Sequence, residues 1–204
     1  MVSFGAVAQV YQPFLENIYV DCIHLMNATC PFIFDAEKAL EVILYIAKRA
    51  GIPDIIHVCK ILYFADRNHL EEFGRFICGD TYYALANGPV PTGTYNLIRD
   101  VQDVTRQSLH SDHARKNFAL SGWNIRPFRD AENDIFSQSD LACLDKAIDE
   151  YGDLDVHILI DISHDEAYKA ADLNGEISVE AIAKTLRDGD ALLELLRDME
   201  PEIA

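Results

Sequence analysis

The sequence predicts a mainly α fold carrying small antiparallel β-hairpins (α+β), with a helical core built around one buried helix at about 54–73. Three observations lead there. Ile55, Cys59, Leu62, Asp66, Leu70 and Phe73 recur at three- or four-residue spacing. Within that stretch Ile61-Leu62-Tyr63-Phe64-Ala65 is apolar on every side, the mark of a helix buried in the centre of a domain. After Gly74 the pattern changes to short β-prone runs punctuated by Gly, Asn and Pro. From Ser137 onward, helix caps and apolar stripes alternate along the chain.

Taken in order, residues 1–33 read as an N-terminal extension and 34–204 as one domain. In the extension, Tyr11, Phe14, Leu15, Ile18 and Tyr19 surround Pro13 and suit an amphipathic helix after the proline. Three roles stand for it: packing on the domain, serving a partner, or a translated leader upstream of Met26. Asp35 caps the first helix of the domain. Ala36, Ala39, Leu40, Ile43, Leu44 and Ala47 form its buried face, Lys48 and Arg49 complement its C-terminal dipole, and Gly51 closes it. Pro53 or Asp54 starts the central helix and Gly74 ends it in a left-handed cap. Phe76-Ile77 and Tyr82–Leu85, separated by Cys78-Gly79-Asp80, are expected to pair as a hairpin. Asn87-Gly88-Pro89-Val90-Pro91 is then expected to leave the strand, since neither proline donates to a ladder.

Thr92 is the expected cap of a helix over 94–107, and 108–116 shows no firm structure. Asn117–Leu120 and Trp123–Phe128, joined by Ser121-Gly122, read as a second hairpin, and Arg129 to Asn133 as a turn. Ser137 or Ser139 starts a helix with Leu141, Leu144, Ile148 and Tyr151 on one face. Asp155 to Ile162 is a short apolar piece. Ser163 is the expected cap of Glu166–Ala171, and Ser178 that of Val179–Leu186, after a break at Gly175. Ala191, Leu192, Leu195 and Leu196 give a last amphipathic helix.

The net charge of −17 is unevenly spread. Residues 1–129 hold 13 acids and 12 bases, whereas 130–204 hold 21 acids and 5 bases. Such a surface repels phosphate, which argues against direct DNA or RNA binding. It favours a basic partner, or is a solvated face that keeps the protein soluble. The five cysteines (Cys22, Cys30, Cys59, Cys78, Cys143) form no C-x-x-C pair, so no zinc ribbon or thioredoxin-type site is readable; reduced thiols in a cytoplasm are the expectation. No apolar run reaches the roughly 20 residues that span a membrane, and Glu16 and Asp21 in a segment without a basic region do not read as a signal peptide.

Asp66-x-x-His69 is the pair that most suggests chemistry. Residues three apart share a helix face, and a carboxylate with an imidazole binds metal or relays protons. A metal site needs three or four ligands, however, and no second copy of the motif is present. The favoured reading is a structural polar pair in the core, with Asp66 accepting from Arg75, His69, a tyrosine or the turn backbone. His57-Val-Cys59 and Ser163-His164-Asp165 are neighbours in sequence, which is not how a catalytic triad is assembled. Gly88-Pro89-Val90-Pro91 lacks the lysine of a phosphate loop and reads as a rigid turn that loses little entropy when a partner docks. Tyr82, Tyr83 and Tyr95 lie beside it and suit either a hairpin–helix core or a protein interface.

The ordered set Lys-Ile-Leu-Tyr-Phe-Ala-Asp-Arg-Asn-His-Leu (60–70), Gly74-Arg75, Gly79-Asp80-x-Tyr82, Gly88-Pro89-Val90-Pro91 and Tyr95 resembles the signature of the Panacea domain of SocA-like antitoxins and related phage-associated proteins. Ser139-Asp140, Tyr151-Gly152, Ser163-His164 and Ala167-Tyr168 continue the likeness, which runs from about Phe34 to Leu186. It implies a Panacea-like antitoxin domain over 34–204, with no catalysis and no cofactor. The domain would neutralise a cognate toxin by direct binding. The alternative it suggests is a proteolytic adaptor that presents a toxin to a Clp-type protease. A metal-dependent enzyme using Asp66 and His69 is the distant third. The partner-binding residues expected are Tyr82, Tyr83, Asn87, Pro89, Pro91 and Tyr95.

Overall fold

The computed structural model describes residues 31–106 and 108–198. The amphipathic segment expected near the N-terminus lies outside the described residues. Helix α1 (Ala36–Arg49) begins where Asp35 accepts a hydrogen bond from the Lys38 N–H, and it ends at Ala50 in an extended conformation rather than at Gly51. Helix α2 (Ile55–Phe73) is the expected central element. Asp54 caps it through the His57 N–H, and Gly74 closes it at φ 71°. Leu62 is fully buried and Phe64 nearly so, as the apolar girdle requires. One helix face cannot account for that, because α2 is packed from several sides.

Those sides are contributed from far along the chain. The main neighbour of α2 is α5 (Gln138–Tyr151), started by a capping box in which Ser137 and Asp140 satisfy each other's backbone N–H groups. Helices α1, α3 (Thr92–Gln102), α6 (Val156–Ser163) and α8 (Val179–Ala183) also pack on α2. Between them lie α4 (Ser111–Asn117) and the short α7 (Glu166–Lys169), and α9 (Gly189–Asp198) closes the described chain.

The first hairpin differs from the expectation. Phe76-Ile77 is not a strand: Asp66 takes the Ile77 N–H at 2.6 Å, Cys78 C=O accepts from Asp35 N–H, and Gly79 turns the chain at φ 66°. Strand β1 (Tyr82–Leu85) pairs instead with β2 (Gly88–Pro91), the segment expected to leave the ladder. In the order β2-β1-β5, β2 is an edge, and alternate residues of an edge strand turn their N–H away from the partner. Pro89 and Pro91 occupy those positions, so the missing donors cost nothing. The third strand, β5 (Glu176–Ile177), was not foreseen; it pairs with β1 through Tyr82 and Tyr83.

The second hairpin, β3 (Phe118–Ser121) with β4 (Asn124–Pro127), forms as expected, with Gly122 at φ 63° in its turn. It is tied to the start of α2 by Ile55 N–H to Trp123 C=O and Ile125 N–H to Pro53 C=O.

Two helix caps differ from the expectation. Thr92 is itself the first residue of α3, whose N-terminus is capped by Asp80 from across the chain. Ser163 ends α6 and donates to Ile160 C=O, whereas Asp165 caps α7. The segment without firm expectation holds α4, anchored by the Ser108 and Ser111 hydroxyls donating to Asp100.

Candidate functional site

The polar residues of α2 build the frame on which the first hairpin sits. Asp66 has no solvent exposure and accepts from Ile77 N–H at 2.6 Å and from the Tyr82 hydroxyl at 2.7 Å. Burial raises its carboxyl to about 7, against the lowering effect of those two donors. The Tyr82 ring is clamped edge-on by Tyr63 and Phe76, at centroid distances of 5.1 and 5.6 Å. One turn further along, His69 is also buried but takes partners of its own: Arg75 C=O at 2.9 Å, Ser139 Oγ at 3.1 Å and Asp140 Oδ1 at 3.1 Å. The two residues thus hold the same turn before β1, Asp66 through Ile77 and His69 through Arg75, and His69 ties that turn to the start of α5 as well. Among the described residues no group of three or more His, Cys, Asp or Glu side chains is placed to hold a metal ion.

Asp140 is the other hub. Its carboxylate accepts from Lys38 Nζ at 2.6 Å, Arg75 Nη2 at 2.9 Å and Ser137 N–H at 2.8 Å, besides the contact to His69. Burial alone would raise Asp140, but the donors from His69, Lys38 and Ser137 outweigh it and hold the carboxyl far below its ordinary range. Asp80 also gathers donors, accepting from Thr81, Gly93 and Thr94 N–H groups and from the Thr94 hydroxyl, but here burial outweighs them and raises the carboxyl.

The hairpin tip rests on a third buried group that the sequence did not single out. Lys60 is fully buried in the apolar middle of α2, and its Nζ donates to Pro89 C=O at 2.8 Å. Burial lowers its ammonium to about 7. A Cβ at Gly88 would collide with Ser163 Oγ and stand 2.7 Å from Lys60 Nζ, and Gly88 has φ 91°, so only glycine fits this close approach. His164 follows Ser163 and stacks on Tyr168 at 4.3 Å, and the Tyr168 hydroxyl donates to Leu85 C=O at 2.9 Å. The hairpin is therefore held from below by α2 and from the side by the α6–α7 corner. Nearby, the Tyr63 hydroxyl donates to Asp165 at 2.9 Å, and Arg67 pairs with the same carboxylate.

A family model described as "Antitoxin SocA-like, Panacea domain" matches residues 58–169, more than half of the chain. This protein belongs to the SocA-like, Panacea-domain antitoxin family. No curated protein and no solved structure matches it.

The family match runs from Val58 to Lys169 and spans Lys60, Asp66, the hairpin, Asp140 and the His164–Tyr168 corner, while Lys38, a donor to Asp140, lies before it. Within this Panacea domain the six residues expected to meet a partner are not equivalent. Tyr82, Pro89, Pro91 and Tyr95 lie in the interior, Tyr82 at 1% and Tyr95 at 2% exposure. Tyr83 and Asn87 are half-buried and Ala86 between the strands is exposed. Strand alternation produces the split: Tyr82 and Ala84 point into the core and Tyr83 points away. A signal for Lys60 was present in the sequence, since a lysine that directly precedes an apolar girdle on a buried helix must find a buried acceptor. Nothing local marked His164 and Tyr168 as neighbours of the hairpin, which only the tertiary fold makes them.

Proposed function

We propose that this Panacea-domain protein neutralises a cognate toxin by binding it directly, through the exposed side of the first hairpin. Family membership supports the antitoxin role. The observation that carries the choice of surface is the support under the Ala86-Asn87 turn. Lys60 fixes Pro89, Tyr168 fixes Leu85, and Gly88 admits no side chain, so the turn is held rigid while Tyr83 and Asn87 remain within reach of a partner. A partner that docks on such a turn orders little that is not already ordered. The buried set plays the supporting role: Tyr82, Pro89, Pro91 and Tyr95 shape the hairpin, and Tyr83 and Asn87 meet the toxin. The acidic part of the chain, residues 130–204, attracts a basic partner and speeds encounter more than it tightens the complex. In this reading the protein is not an enzyme, needs no cofactor and acts in the cytoplasm, where its toxin would be made.

The test is co-expression with the toxin-like product of the adjacent gene. The wild-type chain should restore growth and co-purify with it. The Tyr83→Ala/Asn87→Ala double variant should fold normally by circular dichroism and lose most of the rescue. Full rescue by that variant would remove the hairpin from the interface. Repeating the assay in a strain lacking Clp protease separates masking, where rescue persists, from delivery of the toxin to the protease, where it is lost.

A further inference from the structure

A second surface lies at the far end of α2. There the C-terminal turn of the helix and α9 enclose an open cavity of about 430 Å³. Part of its lining is apolar. Phe73 is 50% exposed and Leu195 is 52% exposed, and Leu192 lies beside them. Helix α9 carries one wide apolar stripe: Leu193 and Leu196 are buried, Leu192 is half-buried against the core at the groove wall, and Leu195 is left exposed in the groove. The exposed part of that stripe is the kind that a partner helix covers.

The charges around the groove say what that helix must be. Glu71, Glu72 and Asp188 line it. Arg187 pairs with Glu71 at 3.4 Å and donates its backbone N–H to the same oxygen, whereas Glu72 and Asp188 make no ion pair among the described residues. The last carbonyls of α2 add the negative end of its dipole at Gly74. Residues 1–30 and 199–204 of the chain itself bear acids and no lysine or arginine, so they do not complement this wall.

We propose that the groove receives a basic amphipathic helix of the toxin, its apolar residues on Leu192, Leu195 and Phe73 and its lysines or arginines on Glu72 and Asp188. The proposal rests on the antitoxin reading for the source of the helix and not for its chemistry. The groove lies at the C-terminal end of α2, beyond Lys60 and Asp66, the residues that hold the hairpin.

Two measurements on the full chain test it. The first is fluorescence anisotropy with a labelled 18-residue peptide of leucine and lysine at helical period. The Glu72→Lys/Asp188→Lys pair should weaken its binding about tenfold, with the difference shrinking in high salt. The charge-matched control Asp112→Lys/Asp149→Lys, on exposed residues outside the groove, should change it by less than about twofold. Leu195→Gln, which leaves the charge alone, should weaken it as well. Equal losses in the two charge pairs would reduce the effect to net charge and overturn the groove. The second measurement is co-purification with the adjacent-gene toxin. The groove pair should lower the recovered toxin while the control pair does not. A toxin complex indifferent to the groove pair overturns the groove alone. If the wild-type chain forms no toxin complex, the antitoxin reading fails, and with it the toxin as the source of the helix.

Discussion

Replacing Asp140 by Asn tests the frame at its most connected point. The substitution keeps the shape and removes the charge. One carboxylate oxygen becomes an NH2 group that faces donors: Lys38 Nζ and Ser137 N–H on one side, or Arg75 and His69 on the other. The carboxylate and His69 have no exposure and Lys38 little, so this is the removal of one partner from a buried ionic cluster, which costs about 3–5 kcal/mol. Arg75 is partly solvated and recovers some of its loss in water, placing the effect toward the lower end. For a chain of this size that lowers the melting temperature by about 10 °C.

The pH dependence supplies the sharper check. The folded carboxyl lies below its unfolded value, so its stabilisation is whole above about pH 4 and is lost as the pH falls through that range. Urea unfolding from pH 8 to pH 3 should show a constant gap between wild type and Asp140→Asn down to about pH 5, then a narrowing gap. A variant within about 0.5 kcal/mol of wild type would refute the reasoning, as would a gap that does not change with pH.

Other outcomes follow from the same frame. Leu62→Ala should cost about 2–5 kcal/mol in urea unfolding, because the side chain is fully buried. Gly88→Ala should destabilise the fold and soften the hairpin, seen as faster amide exchange at Tyr83 and Val90, since the added carbon meets Ser163 and Lys60 in a left-handed backbone. Tyr95→Ala should lower the melting temperature more than Tyr83→Ala does, as full burial of the one and partial burial of the other require. For Lys60 the folded pKa lies below the unfolded one, so between about pH 7 and 10 the unfolded state holds more protons and stability rises with pH. The stability of wild type relative to Lys60→Met should therefore improve over that range, and unfolding curves at pH 7 and pH 10 measure it.

How much of this was legible in the sequence depended on how local each signal is. The central helix was readable because its caps, Asp54 and Gly74, and its apolar girdle all lie within one stretch. Strand β2 was not, because the proline rule concerns the donors a strand needs, and an edge strand needs only every second one. Whether a segment is an edge is a property of the sheet, set here by β5 arriving from residue 176. The same reason explains the cap of α3: Asp80 is spatially adjacent but distant in sequence, and Thr92 was the nearest residue of the right type. Asp66 and His69 share a helix face by spacing and hold one turn, through Ile77 and Arg75, but their further partners, Tyr82 and Ser139, are brought to them only by the tertiary fold. The candidate partner residues lie together on the hairpin and the helix after it, but which tyrosines point inward is a matter of strand parity and register, and the sequence around Tyr82-Tyr83 reads equally well either way.

The central claim is that this chain binds and silences a toxin through a preformed hairpin. Titration of the purified adjacent-gene product into the wild-type chain, followed by calorimetry, addresses it most directly. The account expects a saturable one-to-one complex with wild type and a markedly weaker one with Tyr83→Ala/Asn87→Ala. No heat of binding with a folded, active toxin, together with no growth rescue on co-expression, would contradict it.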